Sequence, residues 1–186
     1  MIGFAMCGSY CTHAHSLTQL QGLVNDGYEV LPIVSENVYS TDTRFGKAKD
    51  LCEKLFLICG REAIHTVADA EPLGPSISLD ALIICPCTGN TLAKLASGIT
   101  DTAVTMAAKA HLRSDRPLVI ALASNDAMSA NLGNIGKLLN RKNIYFLPMK
   151  QDDPVKKPHS LVADFTLLRS TFDLAIEGKQ YRKIFI

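Results

Sequence analysis

Small polar residues gather at four points of this sequence, each directly after a short apolar run. Gly8-Ser9-Tyr10-Cys11-Thr12 follows Ile2 to Cys7, and Ser35-Glu36-Asn37 follows Glu29 to Val34. Pro86-Cys87-Thr88-Gly89-Asn90-Thr91 follows Ala81 to Cys85, and Ala123 to Met128 follows the run that begins at Leu118. The first group sets a glycine, hydroxyls and free backbone N–H groups at the start of a helix, an arrangement that suits a phosphate. It also reads as an ordinary strand-to-helix turn capped by Thr12. There is neither G-x-G-x-x-G nor a Walker P-loop, so the dinucleotide and ATP fingerprints are absent. The Pro86 group offers side-chain and backbone donors that could meet a planar heterocycle, or simply a helix capped by Thr88 or Asn90.

Residues capable of acid–base or metal chemistry are fewer. His65 lies in the irregular segment from Gly60 to Ser78, expected to form a loop near the site, and is the best general acid/base candidate. His13 and His15 are two apart on a helix and do not share a face. His111 and His159 read as surface or capping residues, and Asp101 as the cap of the next helix. Cys7, Cys11, Cys85 and Cys87 fall near the ends of two strands, where four thiolates could bind zinc or an iron–sulfur cluster. Their C-x3-C and C-x-C spacings are not the usual C-x2-C knuckles, and Cys7 and Cys85 fit buried strand positions. No metal site is assigned.

The elements that must position these groups alternate between apolar runs and helical patterns, the signature of βαβ units feeding a parallel sheet. Helices are expected over Thr12 to Asn25, ended by Asp26-Gly27, and over about Thr43 to Ile58, with Ser35 to Ser40 as a polar turn. Further helices are expected after Thr91, with Leu92, Leu95 and Ala96 on the buried face, over Thr102 to Leu112, and over Ala127 to Leu139. Leu118 to Ala123 and Ile144 to Leu147 read as strands. Proline-rich Pro148 to Pro158 reads as a loop or arm, and 160–177 as a last helix capped by Ser160. The fold class is α/β, a three-layer αβα sandwich on a Rossmann-like or flavodoxin-like parallel sheet, with 1–186 as one domain. In such sheets ligands bind beyond the carboxyl ends of the strands, where all four polar groups fall.

Composition narrows the partners. Of 186 residues, 47% are hydrophobic and 20% charged, and the net charge of +1 carries no basic or acidic block. Neither a nucleic acid nor a membrane partner is expected. The opening residues lack a basic n-region and a cleavage site, so a cytoplasmic protein with reduced thiols is expected.

The stretch Pro86 to Asp101 (PCTGNTLAKLASGITD), with the Gly8-Ser9 turn and Arg116-Pro117-Leu118-Val119-Ile120, resembles the flavoprotein family. That family includes phosphopantothenoylcysteine decarboxylase, the lantibiotic cysteine decarboxylases and flavin prenyltransferase. The resemblance covers most of Met1 to Pro148 and implies an αβα sandwich, homo-oligomers and, in many members, FMN at the strand ends. It implies a phosphate near Gly8, Ser9 and Thr12, with Ser35 nearby. A ring system or substrate is implied beside Pro86, Thr88, Asn90 and Thr91, closed over by Asn125 and Met128.

Departures from the family pattern sort its branches. The cysteine decarboxylases carry a histidine shortly before the third strand, where this chain has Pro72 to Ser78 without one. Their PxMNxxM-type loop survives only as the Asn125-x-x-Met128 spacing. The prenyltransferases hold a prenyl phosphate with arginines, where this chain has Met106 and Ala123-Ser124, so those charge-assisted bonds are missing. An FMN-dependent decarboxylase of a cysteine-like or other small acid and a non-catalytic binding subunit stay open as alternatives. The whole-chain pattern is most similar to the branch that oxidises dihydrodipicolinate to dipicolinate (pyridine-2,6-dicarboxylate) in the mother cell of spore-forming bacteria. The resemblance to that branch implies a small dicarboxylate substrate and a partner, the A-subunit of the same enzyme, that handles NAD(P).

Overall fold

The computed structural model describes residues 1–74 and 76–186. Three runs rich in Val, Ile, Leu and Ala form strands buried on both faces: β1 (Ile2–Met6), β3 (Ala81–Cys87) and β4 (Leu118–Ser124). With β2 (Val30–Val34) and β5 (Ile144–Phe146) they make a parallel sheet in the order β2-β1-β3-β4-β5. This is the flavodoxin-like order, whose strand sequence reverses direction between β1 and β3.

Alternation along the strands divides the core in two. Phe4, Met6, Ile83, Cys85 and Ala121 face α1 (His13–Asn25), α3 (Ala48–Cys59) and α8 (Leu168–Ile176). Ala5, Cys7, Leu82, Ile84 and Ile120 face α4 (Val67–Ala70), α5 (Gly89–Ser97), α6 (Ala103–Leu112) and α7 (Leu132–Leu139). The expected αβα sandwich is therefore present. No described helix is long and apolar enough to cross a membrane.

Several expected elements change where side chains or neighbouring strands outbid local pattern. Ser35 to Ser40 is not a bare turn, because Ser35 Oγ accepts from Val38 N and caps the short helix α2 (Glu36–Ser40). The helix expected from Thr43 starts at Ala48, where Asp42 Oδ1 accepts from Ala48 N at 2.9 Å, while Thr43 and Gly46 close a tight turn. Asp101 does not cap α6; Thr102 does, in a reciprocal pair with Thr105. The helix expected over Ala127 to Leu139 begins at Leu132, since Asp126 takes the backbone N–H groups of Ser129 and Asn131.

The loop or arm at Pro148 to Pro158 is a hairpin of β6 (Met149–Asp153) and β7 (Lys157–Ala163). Ser160 is a buried residue of β7 rather than a helix cap, because Val162 and Leu161 pair antiparallel with Ala123 and Ser124 at the end of β4. Asp164 takes the capping role, accepting from Thr166 N in a 3-10 turn before α8. The chain after α8 ends with Phe185 bridged to Met149.

The segment from Gly60 to Ser78 is packed scaffold, not a loop over the strand ends. Ile64 pairs with Ile33 at the β2 edge, α4 follows, and Leu73 is fully buried. Pro75, inside the expected Gly60-to-Ser78 loop, lies outside the described residues.

His111 is buried on α6, not a surface residue, and its Nε2–H donates to Pro117 O at 2.9 Å. Burial lowers its pKa from 6.5, and the hydrogen bond to Pro117 offsets only part of that. The folded chain thus resists a proton that the unfolded chain takes up below about pH 6.5. Stability is accordingly complete above that pH and falls as pH drops toward the folded-state value. His13 adds to the same slope. Urea midpoints should be lower at pH 5.5 than at pH 7.5, and His111→Asn should reduce that difference.

Candidate functional site

All five parallel strands end at one edge, so the loops after β1, β3 and β4 converge beside the β1/β3 reversal. A cleft of about 600 Å³ opens there, within the size range of small-molecule sites, roughly 300–1,000 Å³. Gly8, Ser9 and Thr12 line it after β1, Thr88 and Asn90 after β3, and Asn125 after β4. A second cleft, of about 360 Å³, shares Gly8, Tyr10, Thr88 and Asn90 and continues to Ser35 and Thr91. The fold thus brings together eight of the predicted binding residues, with Asn90 on the wall common to both clefts.

Three predicted residues lie elsewhere. Pro86 is a buried residue of β3, where the Cys85–Pro86 peptide is cis and Pro86 O accepts from Cys7 N. Met128 lines neither cleft; its backbone N–H donates to His159 O at 2.9 Å and tethers the hairpin arm. His65 also lines neither cleft and stacks on Tyr39 with ring centroids 3.6 Å apart.

The hydroxyl groups expected to meet a phosphate are committed to the scaffold. Ser9 Oγ donates to Ala123 O at 2.7 Å, tying the β1 loop to the end of β4. Thr12 Oγ1 donates to Ser9 O at 2.8 Å, and Thr88 Oγ1 accepts from Thr91 N to cap α5. Backbone donors remain. Among the described residues the N–H groups of Gly8, Ser9, Gly89 and Asn90 have no protein acceptor. The loop after β1 and the start of α5 thus leave peptide N–H groups unpaired beside the cleft, a receptive surface for an anion.

Gly89 makes this arrangement feasible. A Cβ there would fall within 2.7 Å of Asn131 Nδ2, and closer still to Ser124 Oγ and Asp126 Oδ1. Those three side chains form one network: Ser124 Oγ donates to Asp126 Oδ1, and Asn131 Nδ2 donates to Asp126 Oδ2 at 3.0 Å. Asn134 Nδ2 extends it to Asn131 Oδ1 at 2.9 Å. The start of α5 thereby packs directly against the loop after β4.

The cysteines do not converge as one ligand set. Cys11 is exposed on the cleft wall, whereas Cys7, Cys85 and Cys87 are buried in the sheet. Burial pushes the Cys7 thiol up to about 11 despite a hydrogen bond from Thr91 Oγ1 at 3.3 Å, and pushes Cys85 up to about 12. Burial also raises Cys87 well above its ordinary value. These are thiols, not thiolates, at neutral pH. Among the described residues no group of three or more His, Cys, Asp and Glu side chains could hold a metal ion.

Four charged or aromatic residues of the larger cleft were not singled out from sequence. Arg44 and Phe45 come from the turn before α3, and Asp152 and Lys157 from the hairpin. Their signal was weak: a basic–aromatic pair in an unpatterned stretch, and charges in a proline-rich segment. Lys157 and Asp152 form an exposed ion pair that raises the lysine pKa.

The Flavoprotein family profile matches residues 2–166. The B-subunit of dipicolinate synthase from Bacillus subtilis (strain 168) is 45% identical over 185 residues, covering 100% of this chain and 92% of that protein. This chain belongs to the flavoprotein family, in the branch of the dipicolinate synthase B-subunits. The crystal structure of the dipicolinate synthase B-subunit from Bacillus halodurans C superposes with a TM-score of 0.91 at 41% identity, covering 100% of this chain and 95% of that one. An FMN-dependent cysteine decarboxylase superposes at 0.64 and 22% identity, covering 95% of each chain, which shows the shared fold.

Two outcomes follow from this geometry. Gly89→Ala should destabilise the chain by about 1–3 kcal/mol through overpacking. Gly133→Ala, with open space around it on α7, should be neutral or stabilising; urea midpoints compare the two. Iodoacetamide should alkylate Cys11 in the native protein while sparing Cys7, Cys85 and Cys87 until unfolding, as read by peptide mass spectrometry.

Proposed function

We propose that this chain is the B-subunit of a two-subunit dipicolinate synthase, an oxidoreductase that converts dihydrodipicolinate to dipicolinate with a partner A-subunit that binds NAD(P). The observation that carries the reading is the 45% identity to a dipicolinate synthase B-subunit over the entire chain. Every cleft-lining segment lies inside that match, including the hairpin arm. The setting is the mother-cell cytoplasm of a spore-forming bacterium. Residues 1–186 act as one unit that self-associates, a reading supported by exposed Phe56 and Leu57 on α3.

The residues present fit FMN. The flavodoxin-like reversal point, a cleft of sufficient size and the unpaired N–H groups of Gly8, Ser9, Gly89 and Asn90 support it. Backbone N–H groups around Gly8 and Ser9 would take the phosphate, with Thr12 and Ser35 fixing the loops that present them. Asn90 and Asn125 would hydrogen-bond the ring system or the substrate, while Thr88 and Thr91 fix the start of α5 that presents Asn90. When bound, a flavin supplies hydride chemistry, and the protein supplies orientation and electrostatics. The buried Cys7 thiol stays protonated and is no nucleophile. With His65 turned onto Tyr39, an acid–base role for it requires a rearrangement, and none is assigned.

The purified chain should retain FMN after desalting, seen as a visible flavin band that is lost when Asn90 is replaced by a larger residue. Combined with NAD(P) and the partner A-subunit, it should form dipicolinate from dihydrodipicolinate, whereas neither protein on its own should reach that rate. A colourless protein that does not retain FMN would remove the flavin step and leave a substrate-binding role. Full activity of the NAD(P)-binding partner on its own would overturn the two-subunit reading.

A further inference from the structure

The turn from Thr43 to Gly46 is built more firmly than an exposed connection requires. Thr43 N donates to Gly46 O at 3.0 Å and Gly46 N returns to Thr43 O at 3.1 Å. Thr43 Oγ1 accepts from Phe45 N at 3.1 Å, and Gly46 takes a φ of +145°, open to glycine. The next residues are anchored by Asp42, which caps α3. A braced two-residue tip is thus held beside the cleft, and the residues displayed on it are Arg44 and Phe45.

Neither side chain has a role in the scaffold. Phe45 is 55% exposed. Arg44 forms no ion pair among the described residues, and its guanidinium lies 4.9 Å from the Phe45 ring centroid. An exposed aromatic beside a cation, both on a small-molecule cleft, presents an apolar face and a fork of N–H donors side by side.

The remaining charges of the cleft complement this tip. Asp126 is occupied by Ser124 and Asn131. Lys157, on the hairpin, is the other cation, and its pair with Asp152 is solvent-exposed and so worth little. Its ammonium can exchange that partner for a ligand carboxylate. The cleft therefore carries one uncommitted arginine, one lysine in an exchangeable pair with Asp152, an aromatic face, and a second carboxylate, Asp126, already engaged by its own loop.

We infer that the Arg44–Phe45 turn is the element that recognises the substrate ring: Phe45 packs on the face of a planar pyridine-type ring and Arg44 binds one of its carboxylates. Lys157 takes the second carboxylate. The inference rests on the dipicolinate synthase reading and extends it by assigning specificity for a ring dicarboxylate over a monocarboxylate. Charge-assisted hydrogen bonds to a carboxylate, partly shielded in a cleft, are worth about 10–100-fold in affinity.

The test is calorimetric titration of the FMN-treated full-length chain, alone and in complex with its NAD(P)-binding partner, using pyridine-2,6-dicarboxylate and pyridine-2-carboxylate as probes. The wild-type chain should prefer the dicarboxylate. Arg44→Gln should weaken dicarboxylate binding by about 10–100-fold and collapse that preference, and Arg44→Lys should restore it only in part. Phe45→Ala should weaken both probes, and Arg113→Gln, outside both clefts, should change neither. These tips are exposed, so truncation removes no core contact.

Unchanged dicarboxylate affinity in Arg44→Gln and Phe45→Ala would overturn the inference. So would loss of FMN retention in these variants with dicarboxylate binding intact, which would make the turn a flavin contact. In either case wild-type turnover in the two-protein complex would leave the functional reading standing. A wild-type complex that neither binds the dicarboxylate nor forms it from dihydrodipicolinate would overturn both.

Discussion

The start of α5 packs so closely against the loop after β4 that residue 89 has no room for a side chain, and the shape of the clefts at the strand ends depends on that contact. β3 and β4 are parallel neighbours that end together, so their two loops must share the space beyond the sheet edge. Gly89 lets them interlock through Ser124, Asp126 and Asn131 instead of splaying apart. The interlock holds α5 with its unpaired N–H groups beside the cleft. Ser9, bonded to Ala123 O, ties the β1 loop to the same point.

This interlock explains how the polar groups divide their work. Side-chain hydroxyls are directed inward: Ser9 to β4, Thr12 to Ser9, Thr88 and Thr91 to each other and to Cys7, Ser35 to α2. Each closes a hydrogen bond that would otherwise be missing at a loop or helix end. Among the described residues, the groups left without a protein partner on the larger cleft include peptide N–H groups and the amides of Asn90 and Asn125. Of the charged residues on the larger cleft, Asp126 is held by Ser124 and Asn131, and the others come from the Arg44 turn and the hairpin arm.

The hairpin arm shows how tertiary structure outranks local pattern. Pro148 to Pro158 has the composition of a loop, and the residues after it have that of a capped helix. Instead, the free backbone at the end of β4 recruits Leu161 and Val162 as an antiparallel strand, and Ser160 is buried within it. Adding that strand satisfies backbone groups that an unpaired edge would leave exposed. It also carries Lys157, Ser160 and Val162 to the cleft wall.

The sequence by itself determined the layered α/β fold, because continuous apolar strands buried on both faces leave little freedom in how they stack. It determined the region of the site as well, since small polar residues after Cys7, Val34, Cys85 and Ala123 must lie at one edge once those strands are parallel. It also carried the family, through Pro86 to Asp101. Only the tertiary structure decided which of those side chains are left free at the clefts. A hydroxyl reads the same in sequence whether it points at a cleft or at a neighbouring carbonyl, and Ser9 and Thr12 are settled by the position of β4 and by their own loop. His65 was drawn away by Tyr39, and Pro86 and Met128 by strand pairing and the arm. Arg44, Phe45 and Lys157 entered because separate elements fold over the same edge, a juxtaposition across more than a hundred residues that no local spacing encodes.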